Sequence, residues 1–196
     1  KGEYETVVSE ARLDHWLALV EAAPLTSVDT ETTSLEPMTA QMVGISLSVE
    51  AGKGAYIPVA HRYAGVPEQL ARELVLDKMK AWLEDPSKPK VGQNLKYDSH
   101  IFANHGVTLR GIVHDTLLQS YVFESHKPHD MDSMALRHLG YATIAFTDVC
   151  GKGARTVSLS ALNPEAVLDF ACERADLAWQ LSARLAPLLT QAHLDS

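Results

Sequence analysis

The sequence has only two cysteines among its 196 residues, and their spacing matches no metal-binding pattern. Cys150 and Cys172 therefore exclude a disulfide framework and a zinc ribbon, and they predict a reduced, cytoplasmic environment. Long hydrophobic runs are missing as well, since no stretch approaches the ~20 residues of a membrane-spanning helix. The N-terminus also lacks the layout of a signal peptide. The sequence predicts a protein with no membrane partner.

Positive charge is scarce too. The sequence has 17 Lys and Arg residues against 25 Asp and Glu residues, which gives a formal net charge of -8 at pH 7. This excludes a protein that is held to nucleic acid by an overall positive field, so any such binding must be local and metal-assisted. The length predicts one domain over residues 1–196, and the first residue, a lysine rather than a methionine, indicates a piece excised from a longer chain.

Hydrophobic periodicity predicts an α/β fold. It indicates a strand at 4–8, a helix at 9–22, a strand at 25–29, and a hairpin of strands at 42–49 and 55–60. A helix is predicted at 67–84, after which strands at 90–93 and 111–114 alternate with helices at 95–105 and 116–123. A short helix at 131–139 and a long one at 163–191 follow. The pattern predicts a mixed β-sheet, an antiparallel hairpin plus parallel strands, flanked by helices.

Two acidic residues lie at the end of the strand predicted at 25–29. Asp29 and Glu31 are two positions apart, so they project from the same face of a strand. Carboxylates this close repel each other unless a cation lies between them, and hard ions such as Mg²⁺ prefer oxygen ligands. A solvated strand end has the same pattern, and for a single Asp-x-Glu pair that is the better interpretation.

A third acidic residue, Asp98, falls in the first turn of the helix predicted at 95–105. Ligands gather where strands end and helices begin in α/β sheets, so Asp98 can join the first two carboxylates. Its alternative role is to stabilise the helix N-terminus. Asn94 is predicted to cap that same helix, and Asp115 to cap the helix at 116–123.

Four motifs in the sequence resemble a known family. They are VDTETTSL at 28–35, VGQNLKYD at 91–98, HDTLLQSY at 114–121 and HDMDSM at 129–134. In order and spacing they are similar to the 3'-5' proofreading exonuclease domain of bacterial DNA polymerase I, which belongs to the DEDD exonuclease superfamily. The resemblance covers residues 4–189. It implies a ribonuclease H-like fold, excision from a DNA polymerase chain, and a location at the bacterial nucleoid.

The resemblance also implies a reaction, in which two Mg²⁺ or Mn²⁺ ions promote phosphodiester hydrolysis at the 3' ends of DNA. Asp29 matches the ligand that bridges both ions, Glu31 matches a ligand of the first ion, and Asp98 matches a residue that acts at the second. These three would be the catalytic and metal-binding residues. The implied partners are DNA with a single-stranded 3' end and the polymerase domain of the same chain, and the domain itself would be a monomer.

Four more positions match contacts to the single strand: Leu35, Asn94, Tyr97 and Phe146. Core packing is the alternative for Leu35 and Phe146, and helix capping is the alternative for Asn94. Position 128 is a proline where many relatives carry a basic residue, and the neighbouring Lys127 is a possible substitute.

The family's third motif, a helical Tyr-x-x-x-Asp, is altered. Its two positions are occupied by Phe170 and Arg174. Phenylalanine lacks the hydroxyl that would orient water, and arginine is a permanent cation that does not bind Mg²⁺. At 3.6 residues per turn, Asp176 lies about 200° around the helix from Arg174, and Glu173 is a quarter-turn away. Neither acid is placed to replace the missing ligand.

Arg174 falls in the apolar stripe of its helix, where an unpaired charge is costly. The hypothesis is that its guanidinium takes the space of the first metal ion and pairs with Asp29 and Glu31. The alternative is that the side chain extends to solvent. Either arrangement predicts weakened or lost metal binding and impaired or lost exonuclease activity. Two other functions stay open: a catalytically silent module that packs on the polymerase domain and binds single-stranded DNA, and, less favoured by the motifs, a nuclease that trims RNA.

Overall fold

The computed structural model describes the backbone of residues 2–194 and the side chains as far as residue 191. The described residues contain six strands, which form one mixed sheet in the order β1-β4-β3-β2-β5-β6. The strands are β1 (Glu3–Thr6), β2 (Thr26–Thr32), β3 (Met42–Ser48), β4 (Lys53–Pro58), β5 (Lys90–Gly92) and β6 (Ile112–Asp115). Pairing is antiparallel for β2–β3 and β3–β4, and parallel for β1–β4, β2–β5 and β5–β6. The predicted hairpin and mixed sheet are confirmed.

The helices alternate with these strands. They are α1 (Glu10–Ala22), α2 (Arg72–Leu83), α3 (Leu95–Asn104), α4 (Thr116–Phe123), α5 (Met131–Leu139), α6 (Phe146–Cys150) and α7 (Pro164–Leu194), with short 3₁₀ helices at Gly153–Arg155 and Leu159–Ala161. None of the helices within the described residues has the length and apolar character needed to cross a bilayer.

Each face of the sheet carries its own apolar cluster, because side chains alternate along a strand. Val28 and Ile45 pack with α1, α2 and α3 on one face. Tyr56 packs with α7 on the other face. Helix α7 contacts strands β1 to β5, and α4, α5 and α6 pack against it. The helices therefore cover both faces of the sheet, as predicted.

The helix predicted from residue 67 begins later, at Arg72. The side chain of Gln69 accepts a hydrogen bond from the backbone N–H of His61 at 3.0 Å and donates one to its carbonyl at 2.7 Å. These bonds tie residue 69 to the end of the preceding strand region, and Ala71 keeps an extended backbone. Proline at position 67 therefore opens a loop rather than the first turn of a helix.

Candidate active site

A cavity of about 640 Å³ lies at the ends of β2 and β5, between α3, α7 and the loop before α5. All nine residues singled out in the sequence line it: Asp29, Glu31, Leu35, Asn94, Tyr97, Asp98, Phe146, Phe170 and Arg174. These residues come from four separate parts of the chain, at 29–35, 94–98, 146 and 170–174, so the fold brings the motifs together. What each residue does there remains a prediction.

Three carboxyl groups form the floor of the cavity. Alternation along β2 turns Asp29 and Glu31 toward α7, while Thr30 between them faces α3. Asp98 is only 2% exposed, and its Oδ1 accepts hydrogen bonds from the backbone N–H of Thr30 at 2.9 Å and from the Thr30 hydroxyl. Thr30 therefore fixes Asp98 beside the two carboxylates of β2. The sequence motif offered no signal for this role of Thr30.

The two carboxylates of β2 are incompletely satisfied. Among the described residues, Asp29 Oδ2 and Glu31 Oε1 are buried and accept no hydrogen bond. Burial raises the pKa of Asp29 and raises that of Glu31 and Asp98 further, and the nearby guanidinium of Arg174 opposes each shift. Buried oxygens of this kind indicate that positive charge belongs in the cavity.

Arg174 brings one positive charge to this place. Its Nε lies 3.5 Å from Asp29 Oδ2, and its guanidinium carbon lies 5.6 Å from the centre of the Phe170 ring. In the described part of the chain the side chain forms this ion pair and none with Glu31. The side chain is 32% exposed, so it reaches the cavity and is still partly hydrated. Pairing with Asp29 agrees with the hypothesis, whereas the expected ion pair with Glu31 is absent.

The two acids near Arg174 on α7 are engaged elsewhere. Asp176 accepts hydrogen bonds from the Tyr4 hydroxyl at 2.6 Å and from the backbone N–H of Gly52 at 2.9 Å. Glu173 accepts from the Tyr141 hydroxyl at 2.9 Å and from the N–H of Ile144 at 2.7 Å. Both carboxylates point away from the cavity, as predicted from the helix geometry.

These positions do not fit a two-ion centre. Within the described residues, no group of three or more His, Cys, Asp or Glu side chains is arranged to hold a metal ion. The orphaned oxygens of Asp29 and Glu31 are suitable cation ligands, but a guanidinium stands beside one of them, and α7 supplies no further carboxylate. The cavity therefore has a fixed guanidinium beside one of its two orphaned carboxylate oxygens.

The rim of the cavity is apolar and aromatic. Leu35 is 92% exposed, which excludes core packing for that residue. Phe146 is 47% exposed, and its ring meets Phe170 edge-on with centroids 6.3 Å apart. The Tyr97 hydroxyl donates to the carbonyl of Ser34 at 2.6 Å and thereby holds the loop that carries Leu35. An exposed leucine and an exposed ring are therefore presented on a fixed rim.

The predicted N-cap position of Asn94 is confirmed, but its side chain does not cap the helix. Asn94 lies at the N-cap position of α3, but its backbone is left-handed at φ 57° and its side chain makes no cap hydrogen bond. Asp115 takes this role, since it accepts from the N–H of Asn94 at 2.9 Å and of Leu95 at 2.7 Å. It also accepts from Leu117 N–H at 3.0 Å, so the predicted cap of α4 is present. One carboxylate therefore serves the first turns of two helices.

Several residues lining the cavity were not predicted. Ser158 and Leu159 come from the second 3₁₀ helix, in a region whose sequence has no clear periodicity. Asp130 and Asp132 also line the cavity. Asp130 caps α5 through the N–H of Ser133 at 3.0 Å, which is the structural role its sequence indicated. The cavity is therefore more acidic than the three motif carboxylates alone would make it.

Comparisons with known proteins identify the family of this chain. A family model described as 3'-5' exonuclease matches residues 4–190. The chain is 46% identical over 186 residues to DNA polymerase I of Pseudomonas aeruginosa, covering 93% of this chain and 20% of that protein. It thus spans about one fifth of the length of that relative.

Solved structures with similar folds support the architecture of the sheet and helices. Brucella melitensis NrnC with bound Mg²⁺ is 19% identical, with a TM-score of 0.69 over 97% of this chain and 83% of that one. Escherichia coli RNase D is also 19% identical, with a TM-score of 0.69 over 97% of this chain and 46% of that one. The ribonuclease H-like fold is confirmed. Since the family model covers nearly the whole sequence, the chain belongs to the 3'-5' exonuclease family of bacterial DNA polymerase I.

Proposed function

We propose that this chain is an editing domain of a DNA polymerase I-type enzyme whose 3'-5' exonuclease activity is strongly impaired. The observation that carries the proposal is the ion pair between Arg174 and Asp29, at 3.5 Å, in the place where the family motif has a ligand aspartate. A tethered guanidinium neutralises Asp29 and repels a metal cation at the same point. The reaction then lacks the charge that would activate its water.

The loss of the motif tyrosine acts in the same direction. Phe170 is buried, and its ring packs against Phe146 and under the Arg174 guanidinium. It has no hydroxyl to orient a water molecule. Removing a group that acts only in the transition state costs about 100-fold or more in rate, and here a metal ligand is missing as well.

The domain is proposed to act on single-stranded 3' ends of DNA, as a monomeric part of a longer polymerase chain in the bacterial cytoplasm near the nucleoid. Leu35 and Phe146 stand exposed at the rim, where an apolar side chain can wedge against terminal bases and a ring can stack on one. Asn94 and Tyr97 complete that wall. The polymerase domain of the same chain is the proposed protein partner.

A second function is supported by the contrast between rim and floor. The rim keeps the residues that match contacts to DNA, while the floor has exchanged a ligand for Arg174. A catalytically silent module would keep single-strand binding and lose hydrolysis. The two functions differ in whether the remaining catalytic groups support metal-dependent cleavage once the third motif is restored.

The test restores the third motif. With a 5'-labelled single-stranded DNA and Mn²⁺, we expect the unmodified chain to cleave at the background rate of its Asp29→Ala variant. The double variant Phe170→Tyr, Arg174→Asp should cleave about 100-fold faster or more. Adding Asp29→Ala to that double variant should return the rate to background.

Two results would decide against the proposal. Cleavage by the unmodified chain well above its Asp29→Ala variant would mean that Arg174 does not silence the site. A double variant that folds but stays at background would favour the silent module. Circular dichroism melting of each variant separates loss of fold from loss of activity.

A further inference from the structure

Residues 151–157 form a short loop at the edge of the cavity, here called the rim loop. It follows α6, whose first residue, Phe146, lines the cavity, and it leads directly into Ser158 and Leu159, which line the cavity too. Cys150 and Leu159 are buried in the same apolar cluster as Phe170. The backbone N–H of Val157 donates to the carbonyl of Cys150 at 2.8 Å and closes the loop. The rim loop is therefore anchored at the mouth of the cavity.

The conformation of the rim loop is specified by its own backbone. Gly151 has φ 82°, and a Cβ there would lie 2.9 Å from the carbonyl oxygen of Arg155. The N–H of Arg155 donates to the carbonyl of Lys152 at 3.1 Å, and that of Thr156 donates to Gly153 at 3.2 Å. Lys152 and Arg155 are therefore held in one turn, three residues apart.

Both basic side chains of this turn are exposed. Among the described residues neither one forms an ion pair, and neither side chain makes a hydrogen bond. Because the backbone of the turn is already fixed, an external anion that binds these cations has only their side chains to order.

The basic residues of α5 and of the segment before it already have an acidic partner. Glu124 pairs with Lys127 at 3.4 Å and with Arg137 at 2.8 Å, and it contacts His138 at 2.9 Å. Arg137 also donates to the carbonyl of Pro128 at 3.0 Å. These contacts stabilise the segment before α5, and they pair its basic side chains with a carboxylate of the chain itself. Lys127, the substitute considered for a basic residue at position 128, is therefore committed to Glu124.

The cavity itself repels a polyanion. Five carboxyl groups line it, those of Asp29, Glu31, Asp98, Asp130 and Asp132, against the one guanidinium of Arg174. The whole chain carries a formal net charge of -8. A strand that enters this cavity therefore needs positive charge just outside it, where backbone phosphates pass.

We propose that Lys152 and Arg155 of the rim loop bind two backbone phosphates of single-stranded DNA at the mouth of the cavity. This rests on the proposed function, since it takes single-stranded DNA as the ligand, and it adds a phosphate site on the rim. The contacts are independent of base sequence, because phosphates carry no sequence information. They also require no metal ion.

The test compares two pairs of substitutions that remove the same charge. Lys152→Gln with Arg155→Gln neutralises the rim loop. Lys80→Gln with Arg110→Gln neutralises two exposed cations that do not line the cavity. The fluorescence anisotropy of a labelled oligothymidylate, titrated at several NaCl concentrations in EDTA, reports the affinity and its salt dependence.

We expect the rim-loop pair to weaken binding about tenfold or more at low salt. The slope of log K against log[NaCl] should become shallower by about 1.4, since each phosphate contact on a single strand contributes ~0.7. The control pair should keep the slope of the unmodified chain. The exchange variant Lys152→Arg with Arg155→Lys should retain the binding.

Three binding results would overturn the rim-loop site. Equal losses in both pairs would assign the effect to overall charge, and unchanged binding in the rim-loop pair would remove the site. An unmodified chain that binds no oligonucleotide at low salt would overturn the site together with the DNA-binding part of the proposed function. The two proposals can also fail separately. If the rim-loop pair weakens binding as expected but the variant Phe170→Tyr, Arg174→Asp does not cleave, only the proposal of impaired catalysis is contradicted.

Discussion

At the scale of single residues, Arg174 has the largest effect on the charge of the cavity. Arg174 pairs with Asp29, while Asp29 Oδ2 and Glu31 Oε1 accept no hydrogen bond among the described residues. The guanidinium therefore offsets part of the cost of burying those carboxyl groups. Removing it would leave them with no nearby cation in the cavity.

We expect Arg174→Met to lower the free energy of unfolding by about 1–3 kcal/mol. Breaking a fully buried ion pair costs more, but this side chain is one-third exposed, which reduces the effect. Urea unfolding at pH 7 measures the change. The control is Arg184→Met on the same helix, where the side chain is exposed and the change should stay within about 0.5 kcal/mol. Equal stability of both variants would show that Arg174 does not offset the cost of burying the carboxyl groups of the cavity.

The structure brings the residues singled out in the motifs into one cavity, because strand ends and helix starts lie close together in an α/β sheet. Their roles stay predictions. The sequence predicted less about their bonding. The role of Thr30 in holding Asp98 has no signature, since threonine is common in strands for other reasons. The pairing of Arg174 with Asp29 and not with Glu31 depends on side-chain geometry that periodicity does not specify.

At the scale of elements, the shared cap at Asp115 connects two parts of the cavity wall. Its carboxylate accepts three backbone N–H groups, two at the start of α3 and one in α4. Helix α3 carries Asn94, Tyr97 and Asp98 into the cavity, so the cap of α4 also positions the wall residues.

We expect Asp115→Ala to cost about 2–4 kcal/mol of unfolding free energy, because it deprives two helices of N-terminal acceptors, each worth about 1–2 kcal/mol. Asp130→Ala, which removes the single cap of α5, should cost about 1 kcal/mol. Chemical denaturation of both variants gives the comparison. Similar losses for the two would contradict a shared cap.

Helices α4 and α5, which begin with a side-chain cap, were predicted more accurately than α2, which does not. Helix α4 agrees with its prediction over residues 116–123, and α5 over 131–139. The start of α2 was misplaced because the bonds between Gln69 and His61 join residues from different parts of the sequence. Helix α6 and the two 3₁₀ helices are too short to establish a periodic pattern, so only tertiary packing defines them.

At the scale of the whole molecule, one buried lysine couples folding to pH. Lys90 is fully buried at the start of β5, where its ammonium donates to the carbonyls of Lys88 at 2.8 Å and Asp85 at 3.2 Å. It also lies 4.5 Å from the centre of the Trp82 ring. Burial lowers the pKa of Lys90 from 10.5 to about 8, although the carboxylates of Asp85 and Glu21 oppose the shift.

The lowered pKa of Lys90 determines how the free energy of unfolding changes with pH. Between pH 8 and 10.5 the folded chain binds fewer protons at Lys90 than the unfolded chain does, so this group makes stability rise with pH in that window. The contribution reaches about 3 kcal/mol. Below pH 8 the fold bears the full cost of the buried charge.

Lys90→Met should remove this rise. We therefore expect the free energy of unfolding of the unmodified chain to increase relative to that of Lys90→Met as the pH increases from 8 to 10. Urea unfolding of both proteins at each pH gives the two free energies of unfolding. Their difference cancels the contributions of the tyrosines and cysteines, which titrate in the same pH range. Parallel pH profiles would mean that Lys90 titrates normally in the folded chain.

The ion pair of Arg174 has one more consequence, which concerns how the positive charge in the cavity depends on ion concentration. An ion bound in a cavity is in equilibrium with solution, and it leaves when its concentration falls or when a chelator competes for it. The guanidinium is covalently attached to α7, so its local concentration beside Asp29 is set by the backbone alone. The counter-charge in this cavity does not vary with the divalent ion content of the cell.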